Sequence, residues 1–338
     1  MKDTLEELSD TTPLSLLPEN ARCFLNKLGL RVLSCEQFSS ELKPVFKIVT
    51  ADAVFFLKHH PRTSGKLARL RYALLGSFGF DRERRFYENV SKTPLAPYVA
   101  TYFGSDQNNL LISLLPSKCG RNWVPEGDEW VVLARALLAF NWESGLSDSG
   151  FRNFVHRSIY GPTAVALRGG FAYVRDEFGV LTALRYILRV LDCIRKQPKL
   201  PKAYLCHNDF IPNNFLFSED SSEVFIIDFQ DITSGRRWPL FDLIRVIWHI
   251  EGNQHDGLKN IFFENYLNGL DAELMGGLNL RIQVQFSLLI CLIHSLRWRK
   301  QNGVEEGPLR DQLLELIAGR GEEIYLQKIE NSIKSSIN

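Results

Sequence analysis

A chain of 338 residues and 38.8 kDa is long enough for two domains or one large bilobal one, and at that size no metal or disulfide is needed to supply a core. Apolar residues at 45% and charged residues at 23% exclude a disordered or low-complexity chain. Lysine and arginine (40) nearly cancel aspartate and glutamate (39), which removes the overall basic field on which non-specific nucleic-acid binding relies.

Met1 to Glu7 is acidic and lacks an apolar run, so no secretory signal is expected and the protein is assigned to the cytoplasm. Residues 1–28 read as a peripheral helical extension, with Asp10-Thr11-Thr12-Pro13 as its start signal. Residues 29–116 then turn β-rich, with strands expected at Leu30–Leu33, Val45–Val49, Ala53–Lys58, Thr101–Phe103 and Leu110–Leu115. Apolar residues at helical spacing between Arg69 and Asn89 add one helix to that sheet.

Beyond the boundary expected near Pro116 to Asn122, residues 117–338 read as mostly helical. Helices are predicted at Trp130–Trp142, Leu181–Lys196, Leu240–His249, Leu258–Leu267 and Leu280–Arg299, while Gly145–Gly179 shows no clear period. The most apolar stretch, Val284–Trp298, is too short to span a bilayer and is broken by Gln285, Ser287, His294 and Ser295, so it is expected as a buried helix. Cys23, Cys35, Cys119, Cys193, Cys206 and Cys291 include no C-x-x-C pair, which fits reduced core thiols rather than zinc or disulfides.

Among the helices lies a β-like island: Ala203–Cys206, Asn214–Phe217 and Val224–Ile227. It carries His207-Asn208-Asp209-Phe210-Ile211-Pro212-Asn213-Asn214, of the form H-x-D-x-x-x-x-N, and then Ile227-Asp228-Phe229. Phosphoryl transfer needs a carboxylate to orient the attacking hydroxyl and accept its proton. It also needs an amide oxygen and a second carboxylate to hold Mg²⁺, with a hairpin to keep them close. Asp209 after one strand, Asn214 opening the next and Asp228 closing its partner meet that requirement.

The pattern resembles the kinase-like phosphotransferases, particularly the aminoglycoside phosphotransferase and choline kinase branch, over roughly residues 30–250. The resemblance implies an α+β, bilobal protein kinase-like fold with a small β-rich N-lobe and a larger, mostly helical C-lobe that bind Mg-ATP between them. Carried over by residue, Asp209 is the catalytic base, Asn214 and Asp228 are the Mg²⁺ ligands, and His207 braces the loop. Asn208 stands where protein kinases have the arginine of H-R-D. Such a fold also needs a strand lysine for the α- and β-phosphates and a helical glutamate partner. Lys58 fills the first role and Glu83, within Arg82-Glu83-Arg84-Arg85-Phe86-Tyr87, the second, with Glu88 as its fallback. Ser34–Pro44 contains no glycine, so Ser39 and Ser40 are the expected phosphate donors in place of a glycine-rich loop. Leu114, at the expected hinge, is placed against adenine by position.

Only Phe229 to Phe241 separate Asp228 from Asp242, and no A-P-E motif follows. A peptide platform is therefore missing, and the expected partners are ATP and a small hydroxylated acceptor, with no nucleic acid and no membrane span. Arg236 and Arg237 favour a neutral or acidic sugar-like acceptor over a polycation, while the acidic run Glu305–Glu323 and the basic run Arg297–Lys300 read as solvated faces. His59 and His60 are expected at the nucleotide edge, and His156, His249, His255 and His294 as structural or surface residues. Two rivals stay open: a nucleotide-binding pseudokinase or scaffold without turnover, and a protein kinase.

Overall fold

The computed structural model describes residues 16–38, 44–60, 79–115, 125–143, 161–200, 202–251, 258–321, 323 and 326–327. The chain divides into two compact units, Met1–Pro116 and Ser117–Asn338.

The first unit is built on five antiparallel strands: β1 (Val32–Gln37), β2 (Val45–Thr50), β3 (Val54–His59), β4 (Tyr102–Ser105) and β5 (Asn109–Ser113). Their order in the sheet is β1-β2-β3-β5-β4. Strict alternation of burial in β2 and β3 puts Phe46, Ile48, Phe55 and Leu57 on one face, as a period of two requires. The turns close by side-chain chemistry. Thr50 Oγ1 donates to the Ala53 carbonyl at 2.9 Å, and Asp106 Oδ1 accepts from the amides of Asn108 and Asn109 at 2.8 Å each. Helix α1 (Glu19–Lys27) inserts Ala21, Phe24 and Leu25 into the cluster formed by that sheet face. The described part of the segment expected at the periphery, residues 16–28, thus contributes to the core, because the apolar residues of α1 fall on one helical stripe. Helix α2 (Gly79–Val90) packs beside β4; the earlier half of the expected Arg69–Asn89 helix lies outside the described residues.

In the second unit, α3 (Glu129–Leu138) runs into a π-helical turn at Ala139–Glu143. The unreadable Gly145–Gly179 stretch is helical where described: Pro162–Ala164, a π segment at Val165–Gly170, and α4 (Phe171–Phe178). Its glycines hid the helix. A Cβ on Gly170 would sit 2.0 Å from the Tyr186 hydroxyl, which itself donates to the Ala166 carbonyl at 3.0 Å. The unit continues with α5 (Val180–Lys196), β6 (Tyr204–Cys206), β7 (Phe215–Phe217), β8 (Val224–Ile226), β9 (Thr233–Gly235), α6 (Phe241–Glu251), α7 (Leu258–Asn268), α8 (Ala272–Gly276), α9 (Leu280–Gln301) and α10 (Gly307–Ile317). β7 pairs with β8 as the predicted hairpin. β6 pairs with β9, an unforeseen strand whose residues Thr233-Ser234-Gly235 carry no apolar alternation.

α9 is buried on nearly all sides between Ile282 and Ile293, the signature of a core helix. Trp238 stacks flat on its Phe286, with ring centroids 3.6 Å apart. No described helix is long and apolar enough to cross a membrane. Cys35, Cys193, Cys206 and Cys291 are buried thiols, and Cys23 is exposed; Cys119 lies outside the described residues.

Candidate active site

The loop from His207 to Asn214 is fixed from below by Asp242 in the first turn of α6. This carboxylate is 1% exposed. It accepts the His207 amide at 2.7 Å on Oδ2 and the Asn208 amide at 2.9 Å on Oδ1. Burial pushes its pKa up, opposed by His207 and by those two amides. Asn208 adopts φ +67°, a conformation that asparagine tolerates better than most residues. Its Nδ2 donates to the Asp231 carbonyl at 2.5 Å and to Thr233 Oγ1 at 2.9 Å, so the residue in place of arginine ties the loop to the β9 side. The His207 ring is fully buried against Phe140, Phe210 and Phe229. It lies 2.9 Å from the Ile227 carbonyl through Nε2; a carbonyl only accepts, so Nε2 carries the proton. The residue after that carbonyl is Asp228.

Asp209 is joined directly to Asn214, and Asn214 to the residue before Asp228. Asn214 Nδ2 donates to Asp209 Oδ2 at 3.0 Å and to the Asp209 carbonyl at 2.7 Å, while the Asn214 carbonyl accepts the Ile227 amide at 3.0 Å. Asp228 sits at φ +62°, and its Oδ1 is shut from solvent with no hydrogen-bond donor among the described residues. Such an oxygen is costly to bury unless a cation meets it. With its nitrogen engaged, the Asn214 side chain has its oxygen left to offer. No group of three His, Cys, Asp or Glu residues able to hold a metal exists among the described residues. Mg²⁺, however, is typically held by one or two protein oxygens together with water and substrate phosphates, and Asn214 with Asp228 fit that requirement.

In the first unit, Lys58 Nζ lies 2.5 Å from Glu83 Oε1, and Glu83 is fully buried. Alternation along β3 explains the reach: Leu57 and His59 are buried on the face opposite to Lys58. Glu88, the fallback, is committed elsewhere, accepting from Arg84 at 3.1 Å and from Ser105 Oγ at 2.7 Å. The Leu114 amide donates to the Val54 carbonyl at 3.2 Å, so that group is used within the sheet. Ser39 and Ser40 lie outside the described residues. His59 Nδ1 pairs with Asn109 Oδ1 at 2.8 Å, and the His60 ring stacks on Phe80 at 5.4 Å.

Asp209 also opens onto a cavity of about 860 Å³ within the second unit. Arg245 Nη2 donates to Asp209 Oδ1 at 2.5 Å, and Arg245 Nη1 lies 2.8 Å from His294 Nδ1. A guanidinium has no acceptor atom, so that ring nitrogen accepts and the imidazole is held neutral. Burial, then Arg245, push His294 down to about 3 and His249 down to about 4. Both histidines, read from the sequence as structural or surface residues, line the cavity. Arg297, Trp298 and Arg299, expected on a solvated face, line it too. Arg236 and Arg237 do not: Arg237 donates to the carbonyls of Ile194 and Gln197 at 2.7 and 2.6 Å. Both border a separate cavity of about 620 Å³. Arg245 was detectable in principle, since it follows Asp242 by one helical turn. His294 was not, because 49 residues separate it from its partner.

A family model described as the phosphotransferase enzyme family matches residues 34–275. No curated protein matches. Among solved structures, a thermostable aminoglycoside phosphotransferase in ternary complex with AMP-PNP and hygromycin B gives a TM-score of 0.59 at 14% identity, covering 89% of this chain and 98% of that one. The ethanolamine kinase of Plasmodium vivax gives 0.57 at 11% identity, covering 89% and 84%. The choline kinase of Streptococcus pneumoniae gives 0.52 at 12% identity, covering 95% and 99%. At these identities the structures share the kinase-like fold. The family match runs from β1 through α8 and takes in both the Lys58–Glu83 pair and the His207–Asp228 island, so the chain belongs to the phosphotransferase enzyme family.

Proposed function

We propose that the protein is an ATP-dependent small-molecule kinase that transfers the γ-phosphoryl group to a hydroxyl of a small metabolite, sugar or aminoglycoside-like acceptor. Residues 29–116 are assigned to the nucleotide, with Lys58, oriented by Glu83, neutralising its phosphates. Ser39, Ser40 and Leu114 remain assigned to nucleotide contacts. Residues 117–338 supply the loop, the metal ligands and the acceptor pocket. Asp209 orients the acceptor hydroxyl and takes its proton. The hydroxyl oxygen bonds to the γ-phosphorus, the bond to the β,γ-bridging oxygen breaks, and its electron pair leaves with ADP. Asn214 and Asp228 would hold Mg²⁺, which when bound offsets charge on the phosphoryl oxygens. His207 holds the loop against the carbonyl before Asp228.

The observation that carries this reading is the buried, donor-free Asp228 Oδ1 next to an asparagine whose amide nitrogen grips Asp209. Support also comes from relatives of this fold named as choline, ethanolamine and fructosamine kinases, and from one solved with streptomycin and ATP. All of these acceptors are small molecules bearing hydroxyl groups. The test is Mg²⁺-dependent ADP release with pooled sugars, amino alcohols, nucleosides and aminoglycosides. Acceptor-stimulated release should fall by about 10²–10⁴-fold in Asp209→Asn, with Mg-ATP binding retained. Unchanged turnover in that variant overturns the assignment.

A further inference from the structure

The cavity beside Asp209 has an unbalanced charge. Asp209 is its sole carboxylate among the described lining residues, and that carboxylate is already paired with Arg245. Two further guanidiniums, Arg297 and Arg299, face the same space. Among the described residues, Arg299 donates only to the Glu305 carbonyl, at 2.6 Å. Arg297 has no hydrogen bond or ion pair among the described residues and lies over Gly169, where a Cβ would come within 3.4 Å of its Nη1. The acidic side chains that follow, Glu305, Glu306, Asp311 and Glu315, do not line the cavity. Trp298, 59% exposed, adds a flat apolar surface beside these cations. A cationic acceptor would meet uncompensated like charge here, whereas an anion would find ready partners.

Resting on the kinase reading of Asp209, we propose that the acceptor is an anionic hydroxyl compound. Its phosphate or carboxylate is held by Arg297 and Arg299, its ring or chain lies on Trp298, and its hydroxyl is presented to Asp209. The anionic group does not react. The new O–P bond forms at the hydroxyl oxygen, the γ-phosphorus bond to the bridging oxygen breaks, ADP takes the electron pair and Asp209 takes the proton.

The test is calorimetric binding to the full chain in the presence of Mg²⁺ and AMP-PNP. The probes are ribose 5-phosphate, gluconate, glucose, glucosamine and choline. Ribose 5-phosphate or gluconate should bind at least about tenfold more tightly than glucose, and which of the two does so distinguishes phosphate from carboxylate. Arg297→Gln/Arg299→Gln should remove that preference while AMP-PNP affinity stays within about twofold. Arg297→Glu alone, at an exposed position, should reverse it and guards against misfolding of the double variant. Tighter binding of glucosamine or choline, equal binding of all probes, binding of none, or a preference that survives in both variants overturns the proposal. ADP release that is indifferent to Asp209→Asn would instead remove the kinase reading and leave the charge preference of the cavity standing.

Discussion

Arg245 does two things at once: it fixes one oxygen of Asp209 and imposes neutrality on His294. With Asp209 as the proposed base, Arg245→Gln should therefore lower kcat by about 10- to 100-fold, because misplacing that carboxylate costs reactive alignment. Mg-ATP affinity should stay unchanged, and Arg245→Lys should recover part of the loss. An equal fall in Mg-ATP affinity would show a collapse of the loop instead. His294 supplies a pH signature. Its folded pKa of about 3 lies below the ordinary 6.5, so the unfolded chain takes up the proton first as the pH falls. Stability should be full above about pH 6.5 and decline towards pH 3, in a window shared with His249, while the charges of Arg245, Asp209 and Arg297 face the His294 ring. His294→Gln should flatten a thermal-unfolding midpoint plotted against pH over that range, and an unaltered slope would refute the assignment. At this scale the sequence was readable where chemistry is local: Asp209, Asn214 and Asp228 lie within one short island. His294 and Arg297 were unreadable because their approach to this site depends on how α6 and α9 pack.

Elements with a regular apolar period or a long apolar run were foreseen, and elements shaped by contact were not. β2, β3 and α5 announce themselves by alternation or helical spacing, and α9 by its apolar run. β9 is polar, and the Val165–Gly170 π segment contains two adjacent glycines that argue against a helix on propensity alone. Packing against Tyr186 reverses that preference. Gly170→Ala should consequently destabilise the fold by about 1–3 kcal/mol through overpacking, measured by urea unfolding, although alanine is the better helix former. A neutral or stabilising result would mean that Tyr186 moves aside at no cost. Asp242→Asn tests the loop anchor in the same assay. One amide nitrogen would then face a backbone N–H, with an expected loss of about 2–4 kcal/mol.

Across the whole molecule, the β-rich first part and the helical second part were legible in the sequence: β-branched and aromatic runs before Pro116, helical periods after it. The acceptor was not, since the arginines that suggested its charge from sequence, Arg236 and Arg237, turn out to border the other cavity. Ligand linkage gives a molecule-wide test of the metal assignment. Mg-ATP at about 100 times its Kd should stabilise the native chain by about 2.7 kcal/mol. Asp228→Asn should lose the Mg²⁺-dependent part of that gain and keep whatever ATP supplies without metal. A full Mg²⁺ response in the variant would move the metal away from Asp228.

On the proposed function, the anchoring of the His207 and Asn208 amides on Asp242 has a consequence for synthesis of the chain. A nascent chain that has emerged only as far as Phe241 already contains Lys58, Glu83, Asp209, Asn214 and Asp228. It lacks the carboxylate that receives two backbone amides of the reactive loop. A truncation ending between Asp228 and Phe241 should thus carry the complete motif without a shaped loop, and on the proposed function phosphoryl transfer should require that α6 has been made.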